Sequence, residues 1–130
     1  MSVRFDHMLI AATDKHRSAQ FFAGIFGLPE PEEAGFFVAV TLTDGAVVNF
    51  VEAPPGAEIL GQHFAFLVAD RRFDEIIARL QNQGVRYWAD PRMTKPYQIN
   101  TNHGGRGVYF DDPNGHHLEA LTRREGSAQS

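Results

Sequence analysis

An internal repeat constrains the fold of this 130-residue chain more than any other feature of its sequence. When the segment that begins at Phe5 is shifted by 56 positions, His7 falls on His63 and Asp14 falls on Asp70. Each histidine opens a run with the alternating pattern of a strand, and each aspartate precedes a run with helical spacing. The sequence therefore predicts two copies of one strand–helix unit.

The predicted helices have apolar residues at positions that share one face. In each copy an aspartate, Asp14 or Asp70, is the expected N-cap, and a glycine, Gly27 or Gly84, is the expected helix end. The residues that carry the spacing are Ala19, Phe22 and Phe26 in the first copy and Phe73, Ile76, Ile77 and Leu80 in the second.

Further strands are predicted after each helix. They cover 35–42 and 46–52 in the first half and 85–88, 108–110 and 116–122 in the second. The turn at Asp44-Gly45 aligns with the turn at Asn114-Gly115 with an offset of 70 rather than 56, so the second half has 70 − 56 = 14 extra residues. They fall in 90–106, which we predict to be a long loop with the composition of a lid.

Four equivalent positions converge if the inner faces of the two copies meet around an approximate two-fold axis. They are His7 and His63 on the opening strands and Asn49 and Glu119 on the closing strands. Two histidines and one carboxylate form a ligand set for a divalent first-row metal and leave coordination positions open for a substrate. The pattern alone is equally compatible with ordinary half-buried side chains that have hydrogen-bond partners.

Composition narrows the classes of function. The chain has no cysteine, which excludes thiolate metal sites, cysteine nucleophiles and disulfides. Its net charge of −4 and the lack of a basic stripe argue against nucleic acid as a partner, and no apolar run predicts a signal peptide or membrane span. We therefore expect a cytoplasmic protein with no nucleic-acid or membrane partner. The open coordination positions of the proposed metal site would take a small-molecule substrate. The polar tail, 123–130, is expected to be frayed.

The run from Gly104 to Glu119 resembles the closing hairpin of the vicinal oxygen chelate superfamily, which includes glyoxalases, bleomycin-binding proteins and extradiol dioxygenases. The segments around His7 and His63 resemble its opening strands, and the resemblance covers about residues 3–122. It implies an α+β fold in which two βαβββ modules, about 3–53 and 60–122, form a cupped mixed sheet around a metal within one domain. It also implies ligation by His7, His63 and Glu119, and a homodimer.

The residues that differ between branches of this superfamily favour one activity. Asn49 stands where metal-dependent glyoxalases have a further glutamate, while Leu9 and Gly107 replace a threonine and a serine of the fosfomycin thiol-transferases. Tyr109 lies ten residues before Glu119, as a tyrosine does in extradiol dioxygenases. We therefore expect ring cleavage that is similar to theirs, with Fe(II) as the favoured metal and Tyr109 as a catalytic hydrogen-bond donor.

Several alternatives stay open at this point. The enzyme could be a fosfomycin-resistance-type thiol-transferase or hydrolase, or a glyoxalase-like isomerase, with Mn, Zn or Ni in place of iron, and the chain could instead be a small-molecule binding or sequestering protein. His116 is expected to point outward, because it alternates with Glu119 along its strand. The residues expected to contact a substrate are Asn49, His103, Arg106 and His117.

Overall fold

The computed structural model describes residues 2–126, which divide into two compact units with the boundary between Ile59 and Leu60. Each unit contains one βαβββ module, so the predicted α+β fold of two such modules is confirmed. The first has β1 (His7–Ala12), α1 (Lys15–Phe26), β2 (Glu32–Ala34), β3 (Phe37–Thr41) and β4 (Val47–Glu52). The second has β5 (His63–Leu67), α2 (Asp70–Asn82), β6 (Tyr87–Trp88), β7 (Gly107–Asp111) and β8 (His117–Leu121), with a 3₁₀ turn at Asn102–Gly104.

The two sheets have the same topology. The strand order is β1-β4-β3-β2 in the first sheet and β5-β8-β7-β6 in the second. In each, the opening strand pairs in parallel with the closing strand, and the remaining neighbours are antiparallel. Asn49 is the register partner of Leu9 and Ala39, just as Glu119 is the partner of Ala65 and Tyr109. The repeat in the sequence is therefore a repeat in strand register.

One face of each sheet is part of a hydrophobic core. In the first unit α1 packs on β1, β3 and β4, and the side chains on that face are at most 3% exposed. They are Ile10, Ala12, Val38, Val40, Val48 and Phe50. In the second unit the buried apolar side chains include Phe73, Ile76 and Leu80 of α2 and Val108, Phe110, Leu118 and Ala120 of the sheet. Burial of each large side chain contributes about 1.5–3 kcal/mol to folding.

The helix ends agree with the sequence pattern at three of four positions. Asp14 accepts a hydrogen bond from Arg17 N at 3.1 Å, and Gly27 ends α1 in the left-handed conformation, with φ of 70°. Gly84 follows α2 with φ of 66°. The expectation for Asp70 was wrong, since the N-cap of α2 is Ala69 and Asp70 is the first helical residue. Its carboxylate instead pairs with a distant arginine.

Two strands differ from the predicted set. β2 was not predicted from the spacing, because a three-residue exposed strand, Glu32–Ala34, shows no alternation between buried and exposed positions. β6 is limited to Tyr87–Trp88, shorter than the predicted run at 85–88.

Two predictions about the chain termini and the membrane also concern the fold. Residues 127–130 of the tail predicted to fray lie outside the described residues, whereas Arg123 to Gly126 are described. No helix within residues 2–126 has the length and apolar character needed to span a bilayer.

The segment 90–106 is the predicted long loop, and hydrogen bonds tie it to the second sheet. Trp88 forms an isolated β-bridge with Pro96, and Asn100 forms one with Gly107. The Asp90 carboxylate accepts hydrogen bonds from the backbone and hydroxyl of Thr94, and these bonds lower the pKa of Asp90. The loop is therefore an ordered part of the second unit.

Candidate metal and substrate site

The face of the second sheet opposite its core carries four of the eight predicted site residues. Strand alternation places these side chains together, because residues two apart project from the same side. We call this surface the open face of the second sheet, and it comprises His63, Ala65, Leu67, Tyr109, Asp111, His117 and Glu119.

His63 and Glu119 come together on this open face. In the parallel register His63 is opposite His117 and Glu119 is opposite Ala65, so the two residues are diagonal neighbours on adjacent strands. Nε2 of His63 lies 3.1 Å from Oε1 of Glu119, and the glutamate side chain is only 14% exposed. An imidazole nitrogen and a carboxylate oxygen are donors that suit divalent first-row metals. The donor set of this pair therefore fits part of a metal site.

Tyr109 lies beside this pair. It is opposite Glu119 in the antiparallel β7–β8 register, its ring stacks on His63 with centroids 5.9 Å apart, and its hydroxyl hydrogen-bonds the Glu119 carboxylate. Burial raises the pKa of Tyr109 to about 12, and the charge of Glu119 adds to the effect, followed by those of Glu125 and Asp90. Tyr109 is therefore a neutral hydrogen-bond donor at physiological pH.

The other two positions that the sequence predicts to converge, His7 and Asn49, belong to the first unit and lie on the corresponding face of its sheet. Nδ1 of His7 is 2.7 Å from the Asp6 carboxylate. Because a carboxylate accepts, Nδ1 carries the proton in this pair and Nε2 is left for another partner. Within residues 2–126, no three histidine or acidic side chains are grouped closely enough to hold a metal ion. Within the second unit, His63 and Glu119 are the two members of the predicted triad that lie together.

Two of the predicted substrate contacts are engaged with the protein itself. The Arg106 guanidinium lies 2.7 Å from the Asp74 carboxylate and 3.2 Å from that of Asp70, and it stacks over the Phe73 ring at 4.6 Å. Arg106 was expected to contact a substrate, but in the structure its guanidinium is paired with two carboxylates of α2. His103 has φ of 59°, and its Nδ1 accepts a hydrogen bond from Gly126 N at 3.0 Å.

A third predicted contact, His117, lies on the open face of the second sheet. Nδ1 of His117 is 2.7 Å from Oδ1 of Asp111, and the His117 side chain is 46% exposed.

His116 faces away from Glu119 as alternation predicts, but the expectation that it points outward was wrong because it is 1% exposed. Its Nδ1 accepts a hydrogen bond from Gln62 N at 3.1 Å, and its ring meets Phe64 edge-on. The turn that precedes it is closed by Asp112, whose carboxylate accepts from His116 N at 2.9 Å. His116 therefore supports the backbone next to His63. The residues Asp-Pro-Asn-Gly predict the turn, whereas nothing in the sequence predicts the hydrogen bond between His116 and Gln62 N.

The segment 122–126, which we call the C-terminal strap, lies along the end of the long loop. Thr122 N donates to Arg106 O at 2.9 Å, and Gly126 N donates to His103. A Cβ at Gly105 would lie 2.4 Å from Cγ of Arg123 and 2.6 Å from Oγ1 of Thr122. Close approach of the strap therefore depends on a residue without a side chain at position 105.

Comparison with known proteins places this geometry in a family. The model of the Glyoxalase/Bleomycin resistance protein/Dioxygenase superfamily matches residues 4–120. The structure of oxidase ChaP-H2 is 45% identical, with 98% of each chain covered and a TM-score of 0.92. Oxidase ChaP-H1 is 44% identical, with 97% of this chain and 100% of that chain covered and a TM-score of 0.91.

A curated relative is more distant. Glutathione transferase FosA of Serratia marcescens is 29% identical over 120 residues, which are 88% of this chain and 77% of that protein. The family model nevertheless spans nearly the whole chain and agrees with the resemblance of the closing hairpin. The protein therefore belongs to the Glyoxalase/Bleomycin resistance protein/Dioxygenase superfamily.

Proposed function

We propose that this protein is a divalent-metal-dependent oxidoreductase that binds a small substrate through vicinal oxygens and cleaves its ring as extradiol dioxygenases do. The observation that carries the proposal is the cluster of His63, Glu119 and Tyr109, in which a nitrogen ligand, an oxygen ligand and a phenol donor share one face. The similarity to two proteins named oxidases supports the choice of oxidative chemistry.

The proposed metal ligands are His7, His63 and Glu119. All three offer donors of the type found in the facial triads of non-haem iron oxygenases, and the chain has no cysteine to compete for the metal. When bound, Fe(II) would supply the redox chemistry for oxidation of an electron-rich diol by dioxygen. The alignment of His7 with His63 in the repeat supports its inclusion, and its Nε2 is left available by the contact with Asp6.

Tyr109 is the proposed catalytic donor. Because its pKa is about 12, its hydroxyl keeps its proton at neutral pH and can donate to an anionic oxygen of the substrate. In the absence of a ligand the same proton is held by Glu119. Binding of a substrate would therefore exchange one acceptor for another and would leave no buried donor unpaired.

The test is metal content together with oxygen uptake. Protein purified anaerobically without a metal-binding tag should contain near one iron per chain and should consume dioxygen when a catechol is added. Glu119→Ala removes the proposed carboxylate ligand and should abolish tight metal binding, measured by elemental analysis. Glu52→Ala is the matched control, since Glu52 is an exposed glutamate at the end of the equivalent strand β4. Full metal occupancy in Glu119→Ala would refute the assignment.

A second candidate is a fosfomycin-type transferase, which is favoured by the similarity to glutathione transferase FosA. That activity predicts protection of cells from fosfomycin and conjugation of the antibiotic to a thiol. Arg106, a cation that could have held an anionic substrate, is bound to Asp70 and Asp74 instead. For this reason we rank this function below ring cleavage. Manganese in place of iron, together with thiol transfer, would reverse the order.

A further inference from the structure

A second histidine–carboxylate pair lies on the open face of the second sheet, beside His63 and Glu119. His117 is opposite His63 in the β5–β8 register and opposite Asp111 in the β7–β8 register. The 2.7 Å contact joins Nδ1 of His117 to Oδ1 of Asp111. The pair is accessible, since the two side chains are 46% and 35% exposed.

The contact determines which nitrogen of His117 is available. A carboxylate can only accept, so in the neutral imidazole Nδ1 carries the proton and Nε2 keeps its lone pair. Nε2 borders Gly61, where a Cβ would stand 3.8 Å from it and 2.6 Å from the carbonyl oxygen of Gly115. Gly61 therefore permits a close backbone approach and places no side chain over this nitrogen. The result is a hydrogen-bond acceptor that is oriented by Asp111 and belongs to a half-exposed side chain.

The position of this acceptor along the strand indicates what it could bind. His117 precedes Glu119 by two residues, so their backbones are about 7 Å apart along β8. This is much longer than the separation of two oxygens on neighbouring carbons. A substrate whose vicinal oxygens lie at Glu119 would therefore present a different, more remote group to His117.

We propose, on the basis of the function above, that Nε2 of His117 accepts a hydrogen bond from a third hydroxyl of the substrate, remote from the vicinal pair. Asp111 is a positioning residue that holds the imidazole in the accepting form. The substrate class is thus a polyhydroxylated aromatic compound rather than a simple catechol. Tyr109 donates and His117 accepts, so the open face distinguishes the two ends of such a molecule.

The test compares two ligands that differ by this hydroxyl, 3,4-dihydroxybenzyl alcohol and 4-methylcatechol. With the iron-loaded protein, the alcohol should have a kcat/KM about three- to tenfold higher, as expected for one hydrogen bond, and the difference should lie in KM. His117→Ala should remove the preference, and Asp111→Asn should reduce it. His16→Ala is the control, because His16 forms an exposed pair with Glu33 in the first unit, and it should keep the preference.

A second measurement does not require metal or turnover. Nitrogen-15 NMR of the metal-free protein should show His117 protonated at Nδ1 and unprotonated at Nε2, and Asp111→Asn should weaken this bias. A proton on Nε2 in the unsubstituted protein would overturn the inference, as would a preference that survives in His117→Ala. If neither diol is oxidised by the iron-loaded protein, the proposed function itself fails, and the inference fails with it.

Discussion

Tyr109 is a residue whose chemistry is determined by its neighbours on the sheet. Its phenol is partly removed from water and hydrogen-bonds the Glu119 carboxylate, and both effects oppose ionisation. The resemblance to extradiol dioxygenases, which have a tyrosine ten residues before the glutamate ligand, implied that Tyr109 lies beside the site of Glu119. The direction of the pKa shift could not be predicted, because it depends on burial and on Glu125, which comes from a separate segment.

The raised pKa of Tyr109 has a measurable consequence in alkaline solution. The folded protein holds this proton to about pH 12, whereas an unfolded chain releases it near pH 10, so the associated stability is present below pH 10 and is lost as the pH rises toward 12. In a titration followed by phenolate absorbance, Tyr109→Phe should lose the component that ionises at about pH 12. Loss of a component that ionises near pH 10 instead would contradict the assignment.

At the scale of elements, the positions of the strap and the loop depend on contacts between residues that are distant in sequence. Arg106 pairs with Asp70 and Asp74 of α2, and its backbone N donates a hydrogen bond to Oγ1 of Thr122 in the strap. The helices were predictable because each carries its own apolar spacing. The contacts of the loop with α2 and with the strap were not predictable, because a charged loop residue gives no indication of which carboxylate it will pair with. β2 was not predicted either, since an exposed strand has no buried face and therefore shows no alternation.

The substitution Gly105→Ala tests whether the strap and the loop are in close contact. Gly105→Ala would place a methyl group 2.6 Å from Oγ1 of Thr122, which already accepts a hydrogen bond from Arg106 N, so relief of the clash would break that bond. We expect a loss of about 1–3 kcal/mol in the free energy of unfolding, measured with urea.

Gly24→Ala provides the control for Gly105→Ala. Gly24 is inside α1, and no neighbouring atom lies within 4 Å of the position that a Cβ would take, so this substitution should stabilise the protein by about 0.5–1 kcal/mol. Equal effects of the two substitutions would show that the strap does not approach the loop closely.

At the scale of the whole molecule, the repeat determined most of what could be predicted. It identified His7, His63, Asn49 and Glu119 as equivalent positions before any chemistry was considered, and the two identical strand orders agree with that assignment. Because strand register follows from alternation within a copy, the approach of His63 to Glu119 was predictable. The burial of His116 was not, since it depends on a turn and on the backbone of Gln62.

Members of this superfamily often form dimers, and we expect the same of this chain. Light scattering coupled to gel filtration should give a mass near twice the 14.5 kDa of one chain. The mass should remain unchanged on dilution through the micromolar range if the interface is of the stable type. A mass of one chain at every concentration would contradict the expectation and would require each chain to hold a complete site alone.

The parallel pairing of β5 with β8 has a further consequence, for folding kinetics. His63 and Glu119 are 56 residues apart, and they meet only when the first and last strands of the module are joined. Because this closure has an entropic cost that must be met before the contact forms, we expect it among the late, slow steps of folding. An ion held by both side chains would therefore bind only after the module has folded. The rate at which the ion binds during refolding would then report the rate of β5–β8 pairing.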